Sequence, residues 1–176
     1  SNVNFGIKCK PGFDLAAHSI VGRFRPGGVR KINISAGDLS NFYQLHCASG
    51  ISGKVQLVMP AAVTYLSPAA GALNPSSINA DTLTWNVADF GTVNFFSAFN
   101  IIAKTDSFAA VGSTICFTLI VNPINGDLNP ANNILTKCFV IVASCDPNEK
   151  EAEPAAATDT STKWITYTIH FQNTGT

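Results

Sequence analysis

Five cysteines and three histidines, with one loop crowded with side-chain oxygens, are the residues of this chain that could do chemistry. The cysteines stand at positions 9, 47, 116, 138 and 145. No two have C-x-x-C spacing and the histidines are scattered, so no zinc centre is expected. His46 beside Cys47 has the residue types of an activated thiol nucleophile. Adjacent side chains on extended backbone point apart, however, and no acid stands ready to orient the histidine. A packed or disulfide-linked loop is expected there instead. Cysteine usage of this kind in a chain of low charge points to an oxidising compartment. Five is an odd number, so at least one thiol is free or paired outside the chain. The partners of Cys9, Cys47 and Cys145 are left open.

Cys116 and Cys138 can be placed more closely, because the stretches that carry them alternate. In residues 113–122 the odd positions Ile115, Phe117, Leu119 and Val121 are all large and apolar, the mark of a strand with one buried face. Residues 132–143 are rich in β-branched and aromatic types. If Thr118 faces Thr136, antiparallel pairing sets Ile120 opposite Ile134 and Leu119 opposite Leu135. It also sets Ile115 opposite Phe139 and Cys116 opposite Cys138. Opposite residues share a face, so a cross-strand Cys116–Cys138 disulfide is expected, with two separately packed thiols as the alternative. The loop 123–131 holds Pro123, Asn125, Gly126, Asp127, Asn129 and Pro130, all turn formers. Asn125, Asp127, Asn129 and Asn133 could offer oxygens to a Ca²⁺ ion. They carry one carboxylate between them, and Asx side chains in tight loops commonly bond their own backbone. The chain is therefore read as needing no cofactor, with calcium as the one candidate.

The elements that would hold these groups are strands. Short alternating or β-rich runs occur at 3–9, 15–21, 29–35, 54–59, 62–66, 82–87 and 93–104, ahead of the hairpin. A single helical turn capped by Ser40 fits within 39–47. Leu83, Trp85 and Val87 share one face of their strand, and Trp85 reads as a core plug rather than a sugar platform. Residues 67–81 are small and turn-rich. Seven to nine short strands without a long helix predict an all-β fold, an immunoglobulin-like antiparallel β-sandwich. After residue 144 the texture changes. An acidic, Ala/Pro-rich stretch at 145–162 reads as a linker. Residues 163–172 alternate again and read as the first strand of a truncated second β module, 163–176. An apolar-faced strand cannot stand alone, so it is expected to pair with a sheet edge of the first module or with another copy.

Composition narrows the function classes. The chain is 46% hydrophobic and 12% charged, with no net charge. No basic face for nucleic acid is expected. No run approaches the 18 apolar residues of a membrane helix. Ser1-Asn2 reads as a cloning remnant, so a native export signal is expected to have been removed. No Ser-His-Asp, metal or phosphate-loop pattern appears, and an enzyme is not expected. Phe42, Tyr43 and Phe96 are the aromatics read as facing a ligand if the chain binds one.

Three places carry a family resemblance. Asp146-Pro147-Asn148-Glu149-Lys150, followed by Tyr167-Thr168-Ile169-His170-Phe171-Gln172-Asn173-Thr174-Gly175-Thr176, resembles the DPN-(D/E)-K … YTI-x-FQNTGT signature of repeated immunoglobulin-like modules. These modules occur in large secreted and surface proteins of Bacteroidetes-type bacteria, often exported by the type IX system. Arg25-Pro26-Gly27 resembles the turn opening the preceding module. Gly126-Asp127 … Pro130 … Asn132-Asn133 resembles the turn before its last strand. The resemblance implies secretion or surface display and a non-catalytic spacing or adhesive role, with neighbouring modules of the same polypeptide as partners. A carbohydrate-binding module using the exposed aromatics is the alternative, with surface glycans or proteins as its targets.

Overall fold

In a computed structural model, which describes residues 6–143, 148–153 and 166–171, the alternating stretches become strands. They are β1 (Leu15–Val21), β2 (Val29–Asp38), β3 (Gly53–Val58), β4 (Val63–Pro68), β5 (Ser77–Asn79), β6 (Thr82–Val87), β7 (Ile101–Thr105), β8 (Thr114–Asn122) and β9 (Ile134–Val140). Two antiparallel sheets form, in the orders β1-β2-β7-β4 and β5-β6-β3-β8-β9. The arrangement is an immunoglobulin-like β-sandwich. One sheet has the ABED order, and β3-β8-β9 supply the CFG order. The β5–β6 hairpin extends the second sheet beyond β3.

The core lies between the inward faces, as period-2 patterning requires. Ile32, Ile34 and Ile101 from one sheet are buried together with Val55, Leu57, Leu83, Trp85, Phe117, Leu119 and Val121 from the other. Trp85 packs edge-on against Phe99 and donates its indole N–H to the Leu73 carbonyl at 3.1 Å. β8 and β9 pair in the expected register, Thr118 opposite Thr136 and Leu119 opposite Leu135. The two threonine hydroxyls meet at 3.1 Å.

The exposed edges are blunted. A bulge interrupts β1 between Ala17 and Ser19, another interrupts β4 between Tyr65 and Ser67, and β5 is only three residues long. On β9, Lys137 lies opposite the buried Phe117. A charge on the core-facing side of an edge strand discourages a further strand from adding there.

Several sequence expectations change. Residues 93–100 are not strand, and β7 starts only at Ile101. The Asn94 side chain accepts from the N–H groups of Phe96 and Ser97, and the Ala98 N–H bonds the Asn94 carbonyl. The segment therefore turns helically, and Phe95 and Phe99, four apart, are both buried. A spacing of four fits a helical turn as well as a strand, and the Asn94 bonds select the turn. The short 3₁₀ turn Leu39–Tyr43 is capped by Asp38, not Ser40. The Asp38 carboxylate accepts from Ser40 N and Oγ and from Ala48 N. Ser40 Oγ in turn accepts from Cys47 N at 2.9 Å. Strand β5 falls in the turn-rich stretch, where three residues give too short a pattern to read. Residues 6–10 form no strand. The rest of the expected first strand lies outside the described residues.

The chain forms two compact units, Ser1–Ala143 and Ser144–Thr176. In the second unit Asn148–Glu153 pairs antiparallel with Thr166–Phe171. The linker reading of 145–162 is therefore corrected at 148–153. Acidic composition masked an extended segment that gains ladder hydrogen bonds once a partner strand is supplied. Within the stretch expected to pair with a sheet edge or another copy, Thr166–Phe171 takes this segment as its partner. Cys145, Asp146, Pro147 and residues 172–176 lie outside the described residues.

Candidate functional site

The loops at one end of the sandwich assemble an aromatic platform. β2 ends there, and the Leu39–Tyr43 turn that follows projects Phe42 and Tyr43, with ring centroids 5.4 Å apart. The Asn94 turn buries Phe95 and Phe99 and leaves Phe96 outside, 5.6 Å from Phe42. Phe95 lies beneath, 5.2 Å from Phe96. Phe42, Tyr43 and Phe96 are 52%, 67% and 48% exposed. These are the three aromatics the sequence singled out, and the fold brings them together. His18 joins them, 5.5 Å from Phe95 and 6.3 Å from Phe42. It is the unpaired residue of the β1 bulge, and a bulge re-aims its side chain. Nothing in the alternation of β1 marks that change of direction.

An open hollow of about 200 Å³ adjoins the platform through Tyr43 and is lined also by Phe13, Leu39, Cys47 and Leu128, with Lys10 and Asp14. One wall is held by a disulfide that the sequence left unassigned, Cys9–Cys47. Cys47 therefore carries no thiol for His46 to activate. The second disulfide joins Cys116 to Cys138 on the outward, exposed side of the β8–β9 hairpin.

The oxygen-rich loop is organised around Asp127, whose carboxylate points into the protein. Oδ2 accepts from Leu15 N at 2.8 Å and from Asn133 Nδ2 at 3.1 Å, and Oδ1 accepts from Asn129 N at 2.8 Å. Leu128 N donates to the Phe13 carbonyl, and Asn132 Nδ2 donates to Asp14. Asn125 and Asn129 are exposed, whereas Asn133 is buried. N–H donors surround Asp127, the reverse of the oxygen shell a calcium ion takes. Its role in the structure is to pin the start of β1 to the β8–β9 loop. Asp127→Ala strands the buried Leu15 N–H and the Asn133 amide and should cost about 2 kcal/mol, read as a lower urea midpoint. Chelator and added calcium should leave Tm of the parent protein unchanged. A calcium-dependent Tm that Asp127→Ala abolishes would reinstate the metal site.

Among the described residues no three of His, Cys, Asp and Glu come together. Burial pushes the Tyr65 phenol pKa above its ordinary value, because desolvation disfavours the phenolate. That residue lines a different hollow, with Met59, Ile78 and Asp81. The chemistry the platform offers is stacking and apolar contact.

No family model and no curated protein matches the chain. Among solved structures it is similar to the crystal structure of the major pilin subunit of Bacillus cereus. The TM-score is 0.42 at 11% identity, over 90% of this chain and 52% of that one. The chain thus spans about half the length of that subunit.

Proposed function

We propose that this chain is a non-catalytic spacer or adhesion module of a large secreted or cell-surface protein. The observation that carries the reading is the path of the chain through the sandwich. β1 starts beside Asp127 in the β8–β9 loop, and β9 runs from that loop to the opposite end, where Val140 pairs with Thr114. The chain enters at one end of the unit and leaves at the other. Seven residues of β9 at about 3.3 Å each advance it roughly 23 Å, which suits modules strung end to end. Two disulfides fit an oxidising compartment. The DPNEK and FQNTGT motifs support membership among the repeated modules of Bacteroidetes-type surface proteins, with adjacent modules as partners. Antibody against the unit should label intact cells of the organism that encodes it. Labelling that appears only after lysis would overturn the reading.

A second reading, glycan binding, is favoured by one observation: Phe42, Tyr43 and Phe96 converge on one exposed surface. Aromatic faces stack on the apolar faces of sugar rings, and the platform residues carry no acid or base other than His18. A glycan array should then give neutral glycans as hits, lost in Phe42→Ala and Phe96→Ala with the fold intact. Hits that survive both substitutions would place binding elsewhere, and an array without hits would leave the spacer reading alone.

A further inference from the structure

We propose that the two disulfides give this unit a mechanical function: they carry tension past the edge strands and load the central pair β3 and β8 in shear. The inference rests on the spacer reading, since a module strung between neighbours is pulled at both ends.

Among the described residues no backbone hydrogen bond holds residues 6–12 to the sandwich. Tension arriving from the N-terminal side therefore meets Cys9 first and crosses its bond to Cys47. Residues 10–46, with the edge strand β1 and all of β2, fall inside that loop and are bypassed. At the other end, tension on the segment after β9 first loads the bonds of Ile141 to Gly112 and Ser113 and of Val142 to Phe24, then meets Cys138 and crosses to Cys116 in β8. The rest of the hairpin, 117–137, is closed off by that bond and cannot be drawn out, while its β8 part stays laddered to β3 and anchors Cys116.

The covalent stretch that can be drawn out between the two bonds is thus 47–116. It reaches the sandwich at the start of β3 and leaves it near the start of β8. These two strands are direct antiparallel neighbours, from Lys54 opposite Asn122 to Val58 opposite Thr118. β3 is drawn toward the aromatic end and β8 toward the opposite end. Antiparallel neighbours pulled at opposite ends along their axes strain their ladder bonds together rather than one at a time. Both strands are central in their sheet, and Val55, Leu57, Leu119 and Val121 are fully buried. The bonds thereby move the load from the two strands with one neighbour each to the pair with two.

The test is single-molecule stretching of the full chain between handles at Ser1 and Thr176, with and without a phosphine reductant. The two loops span 38 and 22 residues. At roughly 3.3–3.6 Å per residue they lock away about 200 Å of contour. The oxidised chain should release that much less length on unfolding, and at higher force, than the reduced chain. The paired variant Cys9→Ser with Cys47→Ser should restore about 130 Å of it, and Cys116→Ser with Cys138→Ser about 75 Å. Folding of each pair is checked beforehand by circular dichroism. Equal contour lengths with and without reductant, or equal unfolding forces, would overturn the proposal. Either result on a protein that antibody labels at the surface of intact cells would leave the spacer reading standing. Labelling only after lysis would remove that reading whatever the stretching shows.

Discussion

Gly53→Ala is expected to unfold the protein or nearly so. Gly53 opens β3, paired with Val87 on one side and next to the Lys54–Asn122 pair on the other. A Cβ there would land on the Asn122 carbonyl oxygen and lie 2.8 Å from both its carbonyl carbon and Pro123 Cδ. These are backbone and ring atoms at the end of a central strand, with no flexible side chain to yield. The conflict forces β3 and β8 apart where the core begins. A loss of about 4 kcal/mol or more is expected, a large part of the roughly 5–15 kcal/mol that stabilises a domain. Urea unfolding and soluble yield report it. Gly6→Ala, where a Cβ meets nothing within 4 Å, is the matched control and should be neutral. A Gly53→Ala protein within 1 kcal/mol of the parent would show that the β3–β8 approach is looser than described.

Trp85→Ala should cost nearly as much for a different reason. Trp85 is among the largest fully buried side chains, and truncation leaves a cavity between the sheets. Large-to-Ala changes of this kind cost about 3–5 kcal/mol, with the spread set by how far the site collapses. Trp85→Phe separates packing from hydrogen bonding. It keeps most of the apolar contact with Phe99 and removes the N–H bond to Leu73, so about 1–2 kcal/mol should be lost. Thermal and urea unfolding of the two variants should fall in that order. If Trp85→Phe proved as damaging as Trp85→Ala, the indole hydrogen bond rather than the ring would hold this part of the core.

Much of the sandwich is legible in the chain because its strands alternate. The β8–β9 register follows from matching apolar faces around Thr118 and Thr136, since a slip by one residue would turn Phe117 and Leu119 outward. Leu83, Trp85 and Val87 mark the buried face of β6 in the same way. Residues 93–100 mislead because Phe95 and Phe99 satisfy either period, and the deciding bonds come from the short side chain of Asn94. Ser40 looks like the cap from composition alone. Asp38 takes that place because its carboxylate also reaches Ala48, on the far side of the turn.

The candidate site divides along the same line. Phe42 and Tyr43 are named as candidates because they lie in a connection, whereas Phe96 lies in a stretch with apolar residues on both faces, so no period sets its exposure. That they meet one another, with His18 beside them, depends on two loops about fifty residues apart and on a bulge. The oxygen-rich loop shows donors and acceptors without direction. Only the docked chain shows Asp127 turned inward to Leu15, a partner 112 residues away.

By itself the sequence determined the strand-rich class and the sandwich, set Cys116 opposite Cys138, and singled out Phe42, Tyr43 and Phe96 as aromatics for a ligand. Each of these depends on side-chain period or on a turn joining near neighbours, so its physical cause lies within a few residues. The tertiary structure alone decided the Cys9–Cys47 bond, the inward aim of Asp127, the gathering of the platform and the two points where tension enters and leaves. These depend on which distant segments close on one another. Loop closure and burial choose among many such arrangements, and no local pattern in the chain records the choice.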